Sequence, residues 1–154
     1  MSTPDELIAL LTPFIHRMSS LDLGVPATAT AQLEAAIPFA TLEGVRGSLF
    51  AARDAGWLVP RQASPGLRFG RLAKPSDKTL GWSIDVVDME GAGAEHLHPN
   101  GEISLCFQDQ GSPLFCGHPP GWVVVPPGSQ HIPEVTGGRM LIAYFLPGGA
   151  MTWI

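Results

Sequence analysis

The spacing of apolar residues divides the chain into two parts. Between residues 3 and 56 apolar side chains recur every three or four positions, which is the period of an amphipathic helix. From Trp57 onward the period becomes two, in short runs bounded by Gly, Pro, Asp and Ser. The pattern predicts a helical segment over residues 1–56 that packs on a β domain over 57–154, within one structural domain.

The helical segment contains signals for three helices. Thr3 and Glu6 form a capping box around Pro4, which predicts the start of the first helix. Pro13 lies inside its apolar pattern, so we expect a kink or an early end there. Further helices are predicted over about 28–37 and about 41–55, the last of them capped by Gly56.

The remainder of the chain predicts short strands. Eight such strands at this spacing are typical of a β-sandwich or barrel. The predicted strands are Leu67–Ala73, Trp82–Met89, Glu102–Gln108, Pro113–Cys116, Trp122–Val125, Pro133–Thr136, Arg139–Leu146 and Met151–Ile154.

Composition narrows the class of protein. The 154 residues suit a single domain, and 18 Gly with 15 Pro indicate many turns. A net charge of −5 with only nine Lys and Arg argues against a nucleic-acid partner. The acidic start and the shortness of the longest apolar run, Met140–Leu146, predict a cytoplasmic protein without a membrane partner. Two cysteines, Cys106 and Cys116, make no disulfide framework.

The candidate chemistry lies in two histidine-bearing segments. In His96-Leu-His98-Pro-Asn-Gly-Glu102, a strand would point both imidazoles to one face, and the Pro-Asn-Gly turn can bring Glu102 back beside them. In Pro126-Pro-Gly-Ser-Gln-His131, a turn places His131 at the start of the next strand. Three imidazoles and one carboxylate suit a divalent transition metal and leave coordination positions open for a substrate.

These two segments resemble the two motifs of the cupin superfamily. His96, His98 and Glu102 match HxHxxxE of the first motif, and Pro126, Gly128 and His131 match PxGxxH of the second. The sequence departs from the usual pattern in the spacing of its flanking glycines. It also departs at position 135, where a valine replaces the final Asn of the second motif. The resemblance implies a small cupin-type β-barrel, a double-stranded β-helix or jelly roll, with an N-terminal helical extension.

A closer resemblance covers about residues 67–150. The runs EHLHPNGEISLCF, FCGHPPGWVVVPPGSQHIPEVTGGRML and YFLPGGA are similar to the small-cupin family that includes 4-hydroxylaminobenzoate lyase. HPNGE together with PPGSxH carries the specificity of this match. The resemblance implies a metal-dependent lyase that converts 4-hydroxylaminobenzoate to 3,4-dihydroxybenzoate and ammonia in nitroaromatic degradation.

Residue roles follow from the motifs and the implied substrate. His96, His98, Glu102 and His131 are the expected metal ligands and catalytic residues, for one divalent Fe, Mn, Zn or Ni ion. An aromatic carboxylate substrate needs a cation and contacts along the ring. The candidates for these contacts are Arg68, Arg71, Arg139 and Tyr144.

Other functions stay open from the sequence. The four residues could form a polar cluster without metal. The protein could be a cupin dioxygenase or isomerase acting on another small aromatic or carbonyl compound, or a non-catalytic small-molecule-binding cupin. Because an open barrel leaves a strand edge to cover, we also expect a homodimer.

Overall fold

The computed structural model describes residues 3–154, so Met1 and Ser2 of the predicted helical segment lie outside the described residues. Within 3–154 there are three α-helices: α1 is Pro4–Met18, α2 is Pro26–Ala36 and α3 is Glu43–Asp54. A 3-10 turn, Phe39–Thr41, precedes α3. None of these helices is long and apolar enough to cross a membrane.

Nine strands follow within the same described range. They are β1 Arg61–Ser64, β2 Leu67–Ala73, β3 Trp82–Ala92, β4 His96–His98, β5 Glu102–Phe115, β6 Gly121–Val125, β7 Ser129–His131, β8 Glu134–Pro147 and β9 Thr152–Trp153. Two predicted pairs of short strands are in fact two long ones, β5 and β8. Register shifts interrupt the pairing of β5 with β8 at the glycine-rich positions where we expected turns.

Helix α1 continues through Pro13 to Met18, so the early end that we considered at this proline is wrong. Its capping box is present, with Thr3 Oγ1 accepting from the Glu6 amide. Leu7 and Leu11 before the proline, and Ile15 and Met18 after it, are all buried. Burial of apolar side chains on both sides of Pro13 outweighs the loss of one backbone hydrogen bond.

The strands form two antiparallel sheets. The larger has the order β1-β2-β3-β8-β5-β6 and the smaller the order β7-β4-β9. The sheets are open and do not close into one continuous barrel, but the arrangement is a jelly roll. The predicted all-β, cupin-type fold with an N-terminal helical extension is therefore confirmed.

The two faces of the six-stranded sheet have different coverings. Its outer face, defined by Ile84, Leu105 and Phe145, shares one apolar core with the three helices. Its inner face carries a second, smaller cluster that includes Met89, Cys106 and Ile142. The inner face is the one that meets the candidate site.

Candidate functional site

Strand pairing brings the two histidine segments together. β4 and β7 pair antiparallel with His96 opposite His131 and His98 opposite Ser129. Directly opposite residues project to the same face, so His96 and His131 point the same way. The prediction that His131 begins the next strand is wrong, because it ends β7, a separate short strand, and β8 starts only at Glu134.

Two glycines in left-handed backbone conformation shape the turns around this pairing. Gly101 has φ +83° and its amide donates to the His98 carbonyl, which turns the chain so that Glu102 can start β5. Gly128 has φ +77°, and its amide donates to the same His98 carbonyl. A side chain at position 101 would place its Cβ 2.8 Å from the Val125 carbonyl oxygen, so glycine is required there.

The four predicted ligands form one cluster that can hold a metal ion. Their donor atoms all lie within 4.8 Å of one another. The Nε2 atoms of His96, His98 and His131 are 2.9, 3.1 and 3.2 Å apart in pairs. Glu102 Oε2 lies 2.7 Å from His98 Nε2. Neighbouring strands and turns thus aim three ring nitrogens and a carboxylate oxygen at one point.

The hydrogen bonding of these residues fits a bound cation. His96 Nδ1 lies 3.0 Å from the Ala94 carbonyl oxygen. Since a carbonyl only accepts, Nδ1 carries the proton and the Nε2 lone pair of His96 faces the cluster. The contact between His98 and Glu102 lacks hydrogen-bond geometry, and the buried Glu102 Oε2 has no hydrogen-bond partner within residues 3–154. Such an unpaired buried carboxylate oxygen is suited to a metal.

Burial favours the neutral form of His96 and of His131, which is the form that binds a metal. It lowers the pKa of His96 and that of His131, because a buried imidazolium loses its hydration. Ser104, fully buried on the same face of β5, donates to Glu102 Oε1 at 3.0 Å. Neutral imidazoles and an oriented carboxylate are the forms in which these side chains bind metals.

An apolar cavity of about 230 Å³ opens beside the cluster. His96, Glu102 and His131 line one end of it. The walls are mostly apolar and include Phe69, Val87, Phe115, Ile142, Met151 and Trp153. A cavity of this kind suits a small aromatic molecule with a few polar groups.

The structure separates the remaining site candidates by the face of the sheet they occupy. Tyr144 lines the cavity, and Arg71 lies on the same face of the sheet. Arg68 points to the other face, where it donates to the carbonyls of Val59 and Pro60. Arg139 also lies away from the cavity and pairs with Asp88 and Glu90.

Sequence reasoning missed three polar residues of the inner face. Ser83, Asp85 and Ser104 are all buried on it. Asp85 had a visible signal, because it interrupts an apolar run that was predicted to be a strand. An acid in such a run needs a partner, and its partner is Arg71.

The sequence matches one family of known proteins along most of its length. The family model described as "PnbB: 4-hydroxylaminobenzoate lyase" matches residues 20–153. The chain belongs to this family.

Two curated members bear the same name. The lyase of Nocardioides sp. (strain LMS-CY) is 29% identical, over 99% of this chain and 96% of that protein. The lyase of Pseudomonas putida is 28% identical, over 99% of this chain and 97% of that protein. The match therefore includes both the helical segment and the cluster-bearing strands of this family member.

Among solved structures, the chain is similar to an RmlC-like cupin protein from Ralstonia eutropha JMP134. The TM-score is 0.48 at 16% identity. The similar region covers 64% of this chain and 66% of that structure.

Proposed function

We propose that this protein is a metal-dependent lyase that converts 4-hydroxylaminobenzoate to 3,4-dihydroxybenzoate and ammonia, as a step in nitroaromatic degradation. The observation that carries the proposal is the opening of the His96, His98, Glu102 and His131 cluster into an apolar cavity, in a chain of this family. The cluster supplies a place for polar chemistry and the cavity a place for an aromatic ring.

The atoms of the reaction balance without an oxidant or a reductant. The substrate and one water contain together the same atoms as 3,4-dihydroxybenzoate and ammonia. The N–O bond breaks, and its oxidising equivalents appear as the C–O bond that replaces a C–H bond at ring carbon 3. At ring carbon 4 a C–O bond replaces the C–N bond, and the nitrogen leaves as ammonia. No external oxidant or reductant is therefore required.

One divalent transition metal, Fe, Mn, Zn or Ni, would be held by His96, His98, Glu102 and His131. When bound it would supply Lewis acidity to an oxygen of the substrate or of water. The carboxylate of Glu102 is the only anionic ligand in this set. Ser104 and the Ala94 carbonyl keep Glu102 and His96 in their binding orientations.

The other residues of the cavity would bind and orient the substrate. Phe69, Val87 and Ile142 would contact the ring and keep bulk water from it. Burial raises the pKa of the Tyr144 hydroxyl, so it stays protonated and can donate to the substrate. Of the three arginine candidates, we assign the substrate carboxylate to Arg71, because Arg68 and Arg139 are engaged on the other face.

Oxygen dependence separates this proposal from the alternative of a cupin dioxygenase. We expect the purified protein to consume 4-hydroxylaminobenzoate under argon and to release ammonia and 3,4-dihydroxybenzoate in equal amounts. Turnover that stops without oxygen, or ¹⁸O from ¹⁸O₂ in the product, would replace the lyase by the dioxygenase. Binding of the substrate without any turnover would favour a non-catalytic small-molecule-binding cupin.

Assembly and location remain predictions. We propose a homodimer, since β1 is an edge strand with four exposed residues, and Trp153 and Ile154 are also exposed. A clean monomer in light scattering at micromolar concentration would contradict it. We also retain the predictions of a cytoplasmic location and of a helical segment over 1–56 packed on a barrel domain over 57–154.

A further inference from the structure

A row of polar side chains crosses the inner face of the six-stranded sheet. Arg71 on β2 lies opposite Asp85 on β3, Asp85 opposite Tyr144 on β8, and Tyr144 opposite Ser104 on β5. Ser104 in turn donates to Glu102 of the cluster. Three inter-strand spacings, about 14 Å between backbones, separate the two ends of this row. The row thus joins Arg71 to the cluster along one face of the sheet.

At the far end of the row, the Asp85 carboxylate binds one edge of the Arg71 guanidinium. Arg71 Nε donates to Asp85 Oδ1 at 2.8 Å, and Nη2 approaches Oδ2 at 3.5 Å. Ser83 Oγ donates to the same Oδ2 at 2.8 Å. Ser83 is fully buried and Asp85 is 6% exposed, so the carboxylate is held on both oxygens.

The ion pair with Asp85 leaves the other edge of the Arg71 guanidinium free. Asp85 uses the Nε–Nη2 edge, and Nη1 has no hydrogen-bond partner within residues 3–154. The Arg71 side chain is 43% exposed, whereas its partner is buried. The Nη1–Nη2 edge presents two parallel N–H donors, which is the geometry that binds a carboxylate through both oxygens.

The free edge lies where two cavities meet. Arg71 and Asp85 line a second, more polar cavity of about 700 Å³. Phe69, Tyr144 and Trp153 line both this cavity and the apolar one beside the cluster. A ring in the apolar cavity would thus extend a para substituent past Tyr144 toward Arg71.

We propose that Asp85 and Ser83 are positioning residues that hold Arg71 with its free edge toward the cavity, and so make the site selective for aromatic carboxylates. The inference rests on the proposed function and adds to it the residues that would recognise the acid group. A free arginine loses side-chain entropy when it binds, and one already fixed by a buried carboxylate loses less. The opposing interpretation is an ion pair that only stabilises the sheet.

Binding of sodium benzoate tests the proposal without any turnover. Isothermal titration of the purified protein should show that benzoate binds and that the neutral isostere benzamide binds more weakly. Asp85→Asn should weaken benzoate binding about tenfold, since a hydrogen bond to a charged group has this order of effect. It should leave benzamide binding unchanged. Ser83→Ala, which removes only one hydroxyl, should weaken benzoate binding in the same direction by a smaller factor.

Two Arg→Lys variants on opposite faces of β2 form a matched pair, in which Arg71→Lys is the test and Arg68→Lys is the control. Arg71→Lys keeps the charge but loses the paired donors, so benzoate binding should fall by about tenfold or more. Arg68→Lys should leave it unchanged. Equal benzoate affinity in wild type, Asp85→Asn and Arg71→Lys, with a lower melting temperature in the two variants, would overturn the proposal in favour of a structural ion pair. Absence of benzoate binding to wild type would also overturn it.

Turnover provides the second readout. With 4-hydroxylaminobenzoate, Asp85→Asn should raise KM about tenfold and change kcat little, because the contact is remote from the N–O bond. With N-phenylhydroxylamine, which lacks the carboxylate, KM should not change. Failure of wild type to convert either compound would refute the lyase proposal alone, while the benzoate titrations would still decide the role of Asp85. A KM that rises equally for both substrates would contradict carboxylate recognition.

Discussion

Both faces of the six-stranded sheet carry arginine–aspartate pairs, and the pair on the inner face lines a cavity. On the outer face, Arg53 from α3 contacts Asp109 at 2.7 Å and Asp88 at 3.9 Å. Arg139 Nε contacts Asp88 at 3.1 Å. Burial raises the pKa of Asp88, although Arg139 and Arg53 oppose the shift. Each charge in this outer network is shared with another in the protein.

On the inner face, Arg71 and Asp85 have the same chemistry and a different environment. Within residues 3–154 no helix residue lines the cavity beside this pair, and the guanidinium keeps a free edge on the side of Tyr144. An arginine is available to a ligand only if its donors are not all used by the protein. Arg139 is the one Lys or Arg in residues 91–154. It is nevertheless a poor candidate to bind the substrate carboxylate, because it is paired with Asp88 and Glu90.

The largest expected effect on the inner face comes from the metal ligands. His131→Ala or Glu102→Ala should reduce both retained metal and turnover by more than about 100-fold, since even an outer partner of a ligand is worth 10–100-fold. Metal analysis after dialysis and initial rates would measure the two losses together. His118→Ala, at an exposed histidine, should change neither. Full turnover in His131→Ala would end the metal assignment.

On the outer face, removing the charge of an arginine should lower stability and leave function unchanged. Arg53→Met keeps the aliphatic stem but leaves the buried Asp88 and the half-buried Asp109 with less charge compensation. We expect the free energy of unfolding to fall by about 2 kcal/mol, with metal content and benzoate affinity unchanged. Chemical denaturation would measure the loss. As a control, Asp54→Asn removes the exposed partner of the same arginine and should have little effect. A loss of benzoate binding in Arg53→Met would contradict the purely structural role assigned to the outer network.

A smaller effect is expected where the polar row meets the cluster. Ser104→Ala removes the hydroxyl that donates to Glu102 Oε1, so metal affinity should fall about tenfold. Competition with a chelator would measure it. Ser112→Ala, at an exposed serine of the same strand, should leave metal affinity unchanged. If both variants behave like wild type, Ser104 does not orient the carboxylate.

The smallest effect should come from the C-terminal wall of the cavity. Trp153 is 68% exposed and packs edge-on against the His96 ring, with centroids 5.6 Å apart. Trp153→Ala should weaken benzoate binding a few-fold, within the range of one aromatic contact, and barely alter the melting temperature. The similarly exposed Ile154 does not line the cavity, and Ile154→Ala should have no effect on binding.

Much of the candidate metal site was predictable because its geometry is local. His96 and His98 are two residues apart on a strand and therefore share a face. Gly101 allows the left-handed turn that returns Glu102 to them. The PPGSQH run places His131 after a turn in the same way, although the length of β7 was not visible in it. These relations depend on neighbours within seven residues, so the local pattern determines them.

The choice among the arginines was decided only by tertiary structure. Alternation along β2 places Arg68 and Arg71 on opposite faces, but both faces of the sheet are partly apolar and covered. The local pattern therefore cannot tell which face meets helices and which meets the cavity. That depends on the pairing of Arg71 with Asp85 and of His96 with His131, residues 14 and 35 positions apart. Long-range register is set by the packing of the whole fold, which is also why α1 continues through Pro13.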